Sequence, residues 1–293
     1  MGRPADRSQD MSDATAFAAR GRTWRRLRRN PMMTLALGVL MLITLAAILA
    51  PVLTPFDPYE TNIRARLKPP GDGHILGTDS QGRDLLTRLL YGARTTLLIG
   101  FVGTGFGALL GGTIGLCAAF YRRLDSVLMR IIDVFLSFPS ILFGLSLAAM
   151  LGPGLDSLIF AVGLSVMPGI ARISRGAALS IMAQDYMDSG RAIGLPVQRL
   201  LSGYLLANAY PPILTYTTLA FGDAVLLAAT LGFLGLGLQP PTAELGSIAA
   251  EGRSFLFLAP HVSTAASVLI FVIVLSFNLL GDALRDAGDR RSV

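Results

Sequence analysis

The feature that most constrains this chain is a series of apolar runs, each close to 20 residues long and almost free of charge. The first extends from Met32 to Ala50 and contains no charged side chain. A bilayer core is about 30 Å thick, and a helix needs about 20 apolar residues to cross it. The chain is 52% hydrophobic and only 15% charged, whereas about 25% of residues in a typical soluble domain are charged. The sequence therefore predicts a membrane protein.

Six spans are predicted, which makes the fold class all-α, a polytopic bundle of six transmembrane helices. Pro139 is expected to kink the third span, and Pro168 and Arg172 make the fourth the least regular. The predicted spans cover about residues 32–50, 95–120, 127–150, 157–176, 209–231 and 263–281.

Arginine-rich segments flank the apolar runs and predict how the chain lies in the membrane. Four arginines at 25–29 lie directly before the first span, and cytoplasmic segments of membrane proteins are enriched in such residues. Six spans place both termini on one side, so we expect both in the cytoplasm. The net charge of +6 is explained by these flanks, and no nucleic-acid partner is predicted. The chain divides into a basic tail at 1–31, a first helix with an extracytoplasmic segment at 32–93, a helical core at 94–283 and a second tail at 284–293.

The reactive side chains exclude most enzyme classes. Cys117 is the only cysteine, and His74 and His261 are far apart, which leaves only an aspartate-based metal site open. Lys68 is the only lysine and lies in no phosphate-binding Gly-x-x-x-x-Gly-Lys-Ser/Thr pattern. We expect no catalytic residues, no metal and no cofactor bound by this chain.

A stripe of glycines marks one face of the second span. Residues four apart share a helix face, and small residues there let a second helix approach closely in lipid. The packing partner is either a helix of the same subunit or one of a second subunit. The stripe consists of Gly103, Gly107, Gly111 and Gly115.

Two irregular segments interrupt the apolar pattern. Residues 184–208 are moderately polar and predict a short helix, a Gly-Leu-Pro break and a second short helix in an aqueous loop. Residues 231–241 are apolar but rich in glycine and end in two prolines. They predict a helix end followed by a segment folded against the outer side of the bundle.

Two carboxylates fall within or near predicted spans, at Asp133 and Asp223. Carboxylates inside a membrane are costly unless they are paired or solvated. Each has two interpretations, a place in a transport path or a structural ion pair, for which Arg130 and Arg172 are candidate partners. Asp133 could also lie near the cytoplasmic interface.

Several motif blocks, in their order along the chain, resemble the inner-membrane permeases of dipeptide and oligopeptide ABC importers, specifically the second, C-type permease. Together they cover about residues 30–291. The blocks are Asn30-Pro31 before the first span, 74–84 with 91–94, 124–133 with Phe138-Pro139, 233–241 and 277–286.

The resemblance implies a role for the 184–208 loop, which in such permeases docks into a cleft of a separate ATPase subunit. The family pattern is Glu-Ala-Ala-x-x-x-Gly, followed by His-x-Leu-Pro-Asn, and here Tyr-Leu-Leu-Ala-Asn stands in the second place at 204–208. The residues expected to couple to the ATPase are Tyr186, Asp188, Ser189, Gly190, Arg191 and Gly194, of which Asp188 to Gly190 replace Glu-Ala-Ala.

The resemblance also implies a type I ABC importer permease fold and a bacterial inner-membrane location. It implies a heterodimer with a second permease, two ABC ATPase subunits that bind ATP and Mg, and an extracytoplasmic substrate-binding protein that delivers peptides. Relatives of the same architecture import nickel, glutathione or haem, so these substrates stay open. The main competing class is a stand-alone secondary transporter with Asp133 and Asp223 as proton carriers. A membrane enzyme has no supporting cluster.

Overall fold

The computed structural model describes residues 31–71 and 73–288. The basic tail with its arginines at 25–29, the expected Asn30 block and the last five residues lie outside the described residues. Helices account for most of the described chain, with a 3₁₀ turn at Ile63–Ala65 and a π-helical stretch at Leu200–Leu206. The helices are α1 Pro31–Ile48, α2 Ala50–Leu53, α3 Leu85–Phe120, α4 Arg122–Ser137, α5 Ser140–Leu151, α6 Leu155–Met182, α7 Asp185–Ala192, α8 Val197–Arg199, α9 Ala207–Phe233, α10 Leu245–Arg253 and α11 Pro260–Gly288.

Five helical segments of the described chain are long and apolar enough to cross a membrane, and the pair α4 and α5 can form a sixth span. The five are α1, α3, α6, α11 and the continuous segment Val197–Phe233. The all-α bundle expected from the sequence is therefore present, with six spans when the bent pair is counted as one.

The third span is broken rather than kinked. Its two halves, α4 and α5, meet at an angle of 92°. Phe138 and Pro139 are both extended, with ψ angles of 136° and 130°. A residue before proline avoids the helical region because the proline ring clashes with it, and here the extended geometry continues through Pro139 itself. Two extended residues in succession turn the chain through nearly a right angle.

The second span begins ten residues earlier than the expected Thr95, so the boundary expected at 93/94 falls inside α3. Asp84 caps α3 by accepting hydrogen bonds from the backbone N–H and the hydroxyl of Thr87, at 2.8 and 2.7 Å. Arg88 in the first turns is fully buried. The 36 residues of α3 extend about 54 Å at 1.5 Å per residue, which is longer than the bilayer core is thick.

Two further spans extend beyond their expected ends, as α6 continues to Met182 and α11 to Gly288. The predicted second short helix of the 184–208 loop is not separate. The α8 turn passes through the π-helical stretch directly into α9, and no break separates them.

The predicted outer segment after α9 contains a short helix of its own, α10. It packs against α3, α9 and α11, and its apolar side chains join one hydrophobic core. That core contains Leu85 and Leu89 of α3, Leu245 and Ile248 of α10 and Val262 of α11. The segment is therefore held firmly against the bundle, as its apolar and glycine-rich sequence predicts.

Candidate functional site

Residues 184–208, called the coupling loop from here on, fold around a small buried centre. Met187 and Gly190 of α7 are buried, as is Leu200 at the start of the π-helical stretch. A Cβ atom added to Gly190 would lie 3.0 Å from Cδ2 of Leu200 and 3.3 Å from Cδ1 of Leu195. Gly190, which stands in place of the second alanine of the family pattern, thus forms a close contact between α7 and the stretch leading into α9.

Gly194 ends α7 by adopting a left-handed backbone, with φ of +73°. The N–H of Leu195 donates to the carbonyl of Gly190 at 3.1 Å, and the N–H of Gly194 donates to that of Arg191 at 3.0 Å. The first of these bonds and the left-handed glycine are features of the Schellman helix end. Gly194 therefore fixes the angle between α7 and the Pro196 turn.

The solvent-exposed face of the coupling loop combines apolar and charged side chains. Ile193, Val197 and Tyr186 are 75%, 50% and 39% exposed. Asp188 and Arg191 form an exposed ion pair at 3.0 Å, and such pairs add little stability. Exposed apolar residues rimmed by polar ones are typical of a protein-binding surface.

Tyr204, which stands in place of the family's histidine, has a defined neighbour. Its ring stacks on that of Tyr186, with 6.3 Å between the ring centroids. The stack joins α7 to the π-helical stretch. Tyr186, Asp188, Ser189, Gly190, Arg191 and Gly194 are thus gathered in α7 and the turn that follows it.

The glycine stripe of α3 lies against α6 of the same chain. A Cβ atom added to Gly107 would lie 2.5 Å from the carbonyl oxygen of Gly163, and one added to Gly111 would lie 2.5 Å from that of Met167. Gly103 and Gly115 face α6 in the same way, near Val162 and the carbonyl oxygen of Ala171. All four are buried, so within this structure the stripe serves packing inside one subunit.

The two intramembrane carboxylates have different surroundings. Asp133 of α4 forms an ion pair with Arg172 of α6 at 2.5 Å, which selects Arg172 and not Arg130 as its partner. Asp125 of α4 also pairs with Arg175 of α6, through two bonds of 2.5 and 2.6 Å. Asp223 lies on α9, in the wall of a cavity, and the described residues provide no ion pair for it.

A charge cluster between the segment before α3, α3 itself and α10 was not predicted from the sequence. Arg83 binds Asp79 at 2.6 Å and Glu251 of α10 at 2.9 Å, and Arg88 binds Glu251 at 2.6 Å and also Asp79. Burial raises the pKa of the Asp79 carboxyl, but Arg88 and Arg83 outweigh this effect, and the pKa lies below its usual value. The cluster ties the outer segment and α3 to α10. Its only sequence signal is the four-residue spacing from Asp79 to Arg83 and from Asp84 to Arg88.

Glu244 was also missed, because glutamate is not among the preferred residues at a helix N-cap. Its carboxylate accepts the backbone N–H groups of Gly246 and Ser247 at 2.7 and 2.8 Å, and the hydroxyl of Thr96 of α3 at 3.3 Å. Burial raises the pKa of Glu244, although these hydrogen bonds oppose the rise. The contact anchors the start of α10 to α3.

Two family models match the chain. The model described as binding-protein-dependent transport system inner membrane component matches residues 107–293, and the N-terminal TM domain of oligopeptide transport permease C matches residues 20–70.

Curated relatives match over nearly the whole chain. A putative peptide transport system permease protein of Brucella abortus is 42% identical, over 92% of this chain and 91% of its own length. The dipeptide transport system permease protein of Haemophilus influenzae is 35% identical, over 91% of this chain and 92% of its own length. The glutathione transport system permease protein of Pectobacterium atrosepticum is 39% identical, over 91% of this chain and 89% of its own length.

Solved structures show a related fold. An inward-facing form of the MetNI methionine ABC transporter aligns with a TM-score of 0.57 at 22% identity, over 69% of this chain and 97% of the matched chain. At this level of identity the match concerns the fold alone, and it supports the architecture described above.

Proposed function

Because the chain belongs to the binding-protein-dependent transport system inner membrane component family and is a permease subunit of an ABC importer, we propose that it forms half of a path for di- or oligopeptides. The observation that carries the peptide substrate is the set of relatives named as peptide and dipeptide permeases at 35–42% identity. The glutathione permease at 39% identity favours glutathione, itself a tripeptide, as the second candidate.

The proposed assembly contains a second permease, two ATPase subunits and an extracytoplasmic substrate-binding protein. ATP and Mg are bound by the ATPases, since this sequence has no phosphate-binding loop pattern around its single lysine. The coupling loop is the proposed ATPase contact, and its exposed Ile193, Val197 and Tyr186 provide the apolar area for docking.

The coupling loop is also built to transmit a movement. The α7 helix contacts Leu200 through Gly190, and Leu200 belongs to the continuous helical segment Val197–Phe233. A shift of α7 driven by closure of the ATPases would therefore move α9 as well. Nucleotide would bias the transporter between inward-open and outward-open states through its different affinity for each.

We place the protein in the bacterial inner membrane with both termini and the coupling loop in the cytoplasm, and with residues 51–84 outside. Single cysteines in a Cys117→Ala background test this arrangement. Ile75→Cys, at a position 73% exposed, should react with an impermeant maleimide only from outside, and Ser189→Cys only from inside. Ser80 is less suitable because it is half-buried. Labelling of Ile75→Cys only from the cytoplasmic side would reverse the topology.

Reconstitution tests the function itself. Proteoliposomes that contain this chain, the second permease and both ATPases should accumulate labelled peptide when ATP and the loaded binding protein are supplied. A matched complex whose ATPases lack the phosphate-binding lysine should not accumulate peptide. Uptake by this chain alone, driven by a proton gradient, would instead support the secondary-transporter alternative.

A further inference from the structure

A cavity of about 370 Å³ lies at the junction of α4 and α5, between α6 and α9. Pockets of about 300–1,000 Å³ are typical of small-molecule sites. Most of the lining is apolar, and its polar side chains are Ser140, Ser165, Tyr216, Asp223 and Thr230.

Asp223 is the only charged group in this lining. Among residues 31–71 and 73–288, no arginine, lysine or histidine side chain lies within ion-pairing distance of it. The nearby Arg172, one helical turn beyond the lining residue Gly169, is already paired with Asp133. A carboxylate at membrane depth is costly without a partner and marks a functional position by default. Asp223 is exposed in this chain, so a cationic group from outside the described residues can reach it.

The neighbouring hydroxyls favour a hydrogen-bond donor in the cavity. Ser165 donates to the carbonyl of Ala161 at 2.7 Å, and Thr230 donates to that of Leu226 at 2.7 Å. A hydroxyl has one donor and two acceptor positions, so each of these oxygens keeps only acceptor capacity. An ammonium group has three donors and no acceptor, which matches a cavity whose lining combines a carboxylate with these two acceptor oxygens.

A metal cation fits this lining less well. Nickel and other late transition metals favour imidazole or thiolate ligands, and the cavity lining contains neither. No group of three or more His, Cys, Asp or Glu side chains in the described residues could hold a metal ion.

We propose that Asp223 binds the ammonium group of the transported substrate as it passes through this cavity. The inference rests on the proposed peptide function, because a free amino terminus supplies this group. Asp223 then holds one end of the peptide on α9, the helix continuous with the coupling loop.

The test compares uptake of a dipeptide and of its N-acetylated form, both chosen as substrates of the wild-type reconstituted complex. Asp223→Asn should lower uptake of the free dipeptide by about tenfold, the factor expected when one charge-assisted hydrogen bond is lost, and leave uptake of the acetylated form unchanged. Asp223→Glu should restore most of the uptake. Asp156→Asn is the matched control, an exposed carboxylate at the start of α6 and outside the cavity, and should behave as wild type.

Three results would overturn the inference. The first is wild-type uptake of the free dipeptide by Asp223→Asn, and the second is an equal loss for both substrates. The third is failure of Asp223→Asn to co-purify with the second permease, which would make Asp223 a structural partner of that subunit. Absence of ATP-dependent uptake of any peptide by the wild-type complex would contradict the proposed function instead.

Discussion

Arg88 of α3 and Glu251 of α10 are 163 residues apart in the chain, yet their side chains form an ion pair of 2.6 Å. The side chain of Arg88 is fully buried, and that of Glu251 is 21% exposed. Asp79 and Arg83 of the outer segment complete the cluster. The cluster therefore joins three separate parts of the chain, namely the segment before α3, α3 itself and α10.

Replacing Arg88 should destabilise the protein strongly. In Arg88→Gln, the Asp79 and Glu251 carboxylates lose a buried partner, and breaking a buried ion pair from one side costs about 3–5 kcal/mol. We expect the melting temperature in detergent, measured by size exclusion after heating, to fall by roughly 10 °C. Arg64→Gln, at an exposed position, is the matched control and should melt as wild type. Equal melting of both variants would contradict a stabilising role for the cluster.

The stability of the outer segment should depend on acid through Asp79. Burial opposes ionisation of this carboxyl, but the adjacent Arg88 and Arg83 lower its pKa below the usual 3.8. A group with a depressed pKa in the folded state stabilises above its unfolded pKa, and this stability is lost as the pH falls through the folded pKa. The melting temperature of the wild-type protein should thus decrease as the pH is lowered below about 4. The Asp79→Asn variant should be less stable than the wild type at pH 7. Its melting temperature should decrease less steeply as the pH is lowered.

Glu60→Gln provides the control for that experiment, because Glu60 is an exposed carboxylate in the same outer segment. It should keep the wild-type dependence of melting temperature on pH. An Asp79→Asn profile parallel to that of the wild type between pH 3 and pH 7 would assign the acid sensitivity to other groups.

The glycine stripe of α3 should tolerate no added methyl group where it contacts α6. The Cβ atom in Gly111→Ala would lie 2.5 Å from the carbonyl oxygen of Met167 and 3.0 Å from the backbone nitrogen of Ala171, so the two helices must separate. Overpacking of this kind costs about 1–3 kcal/mol. Gly105→Ala on the same helix meets no atom within 4 Å, and alanine favours a helix by about 1 kcal/mol. Thermal melting should show a loss for Gly111→Ala only; a loss of equal size in both variants would rule out the packing explanation.

Gly194 should control ATPase docking through its backbone angle. No atom lies within 4 Å of a Cβ atom built on Gly194, so crowding inside this chain is not the obstacle. Its φ of +73° disfavours valine by about 1–2 kcal/mol, whereas asparagine visits this region. We expect Gly194→Val to reduce co-purification of the ATPase subunits by about tenfold and Gly194→Asn to retain it. Undiminished co-purification of Gly194→Val would show that the turn angle does not govern docking.

The spans could be predicted from the sequence because hydrophobic length is a local property. The start of α3 could not, since Arg88 is a charged residue whose burial depends on Glu251, far away in the chain. For the same reason the 74–84 motif does not by itself predict the charge cluster that Asp79 and Arg83 form with Arg88 and Glu251. The order of the motifs along the chain was enough to locate the coupling loop. That the loop runs into α9 without a break could not be predicted, because it depends on the burial of Leu200 and Leu205. The partner of Asp133 also needed the structure, because Arg130 and Arg172 were equally acceptable by composition.

The right-angle turn at Phe138 and Pro139 affects what surrounds the backbone at that depth. The last carbonyl groups of a helix lack the N–H partners of a following turn. In α4 the Ser137 hydroxyl and the Phe138 N–H donate to the carbonyls of Val134 and Phe135, which leaves those of Leu136 and Ser137. An unpaired backbone group in hydrocarbon costs several kcal/mol. Broken helices at membrane depth are found where the backbone is covered by protein or faces water. Because Phe138 itself is exposed in this chain, the described residues do not cover this turn, and its backbone has to be covered by water or by another protein subunit when the span lies in a membrane.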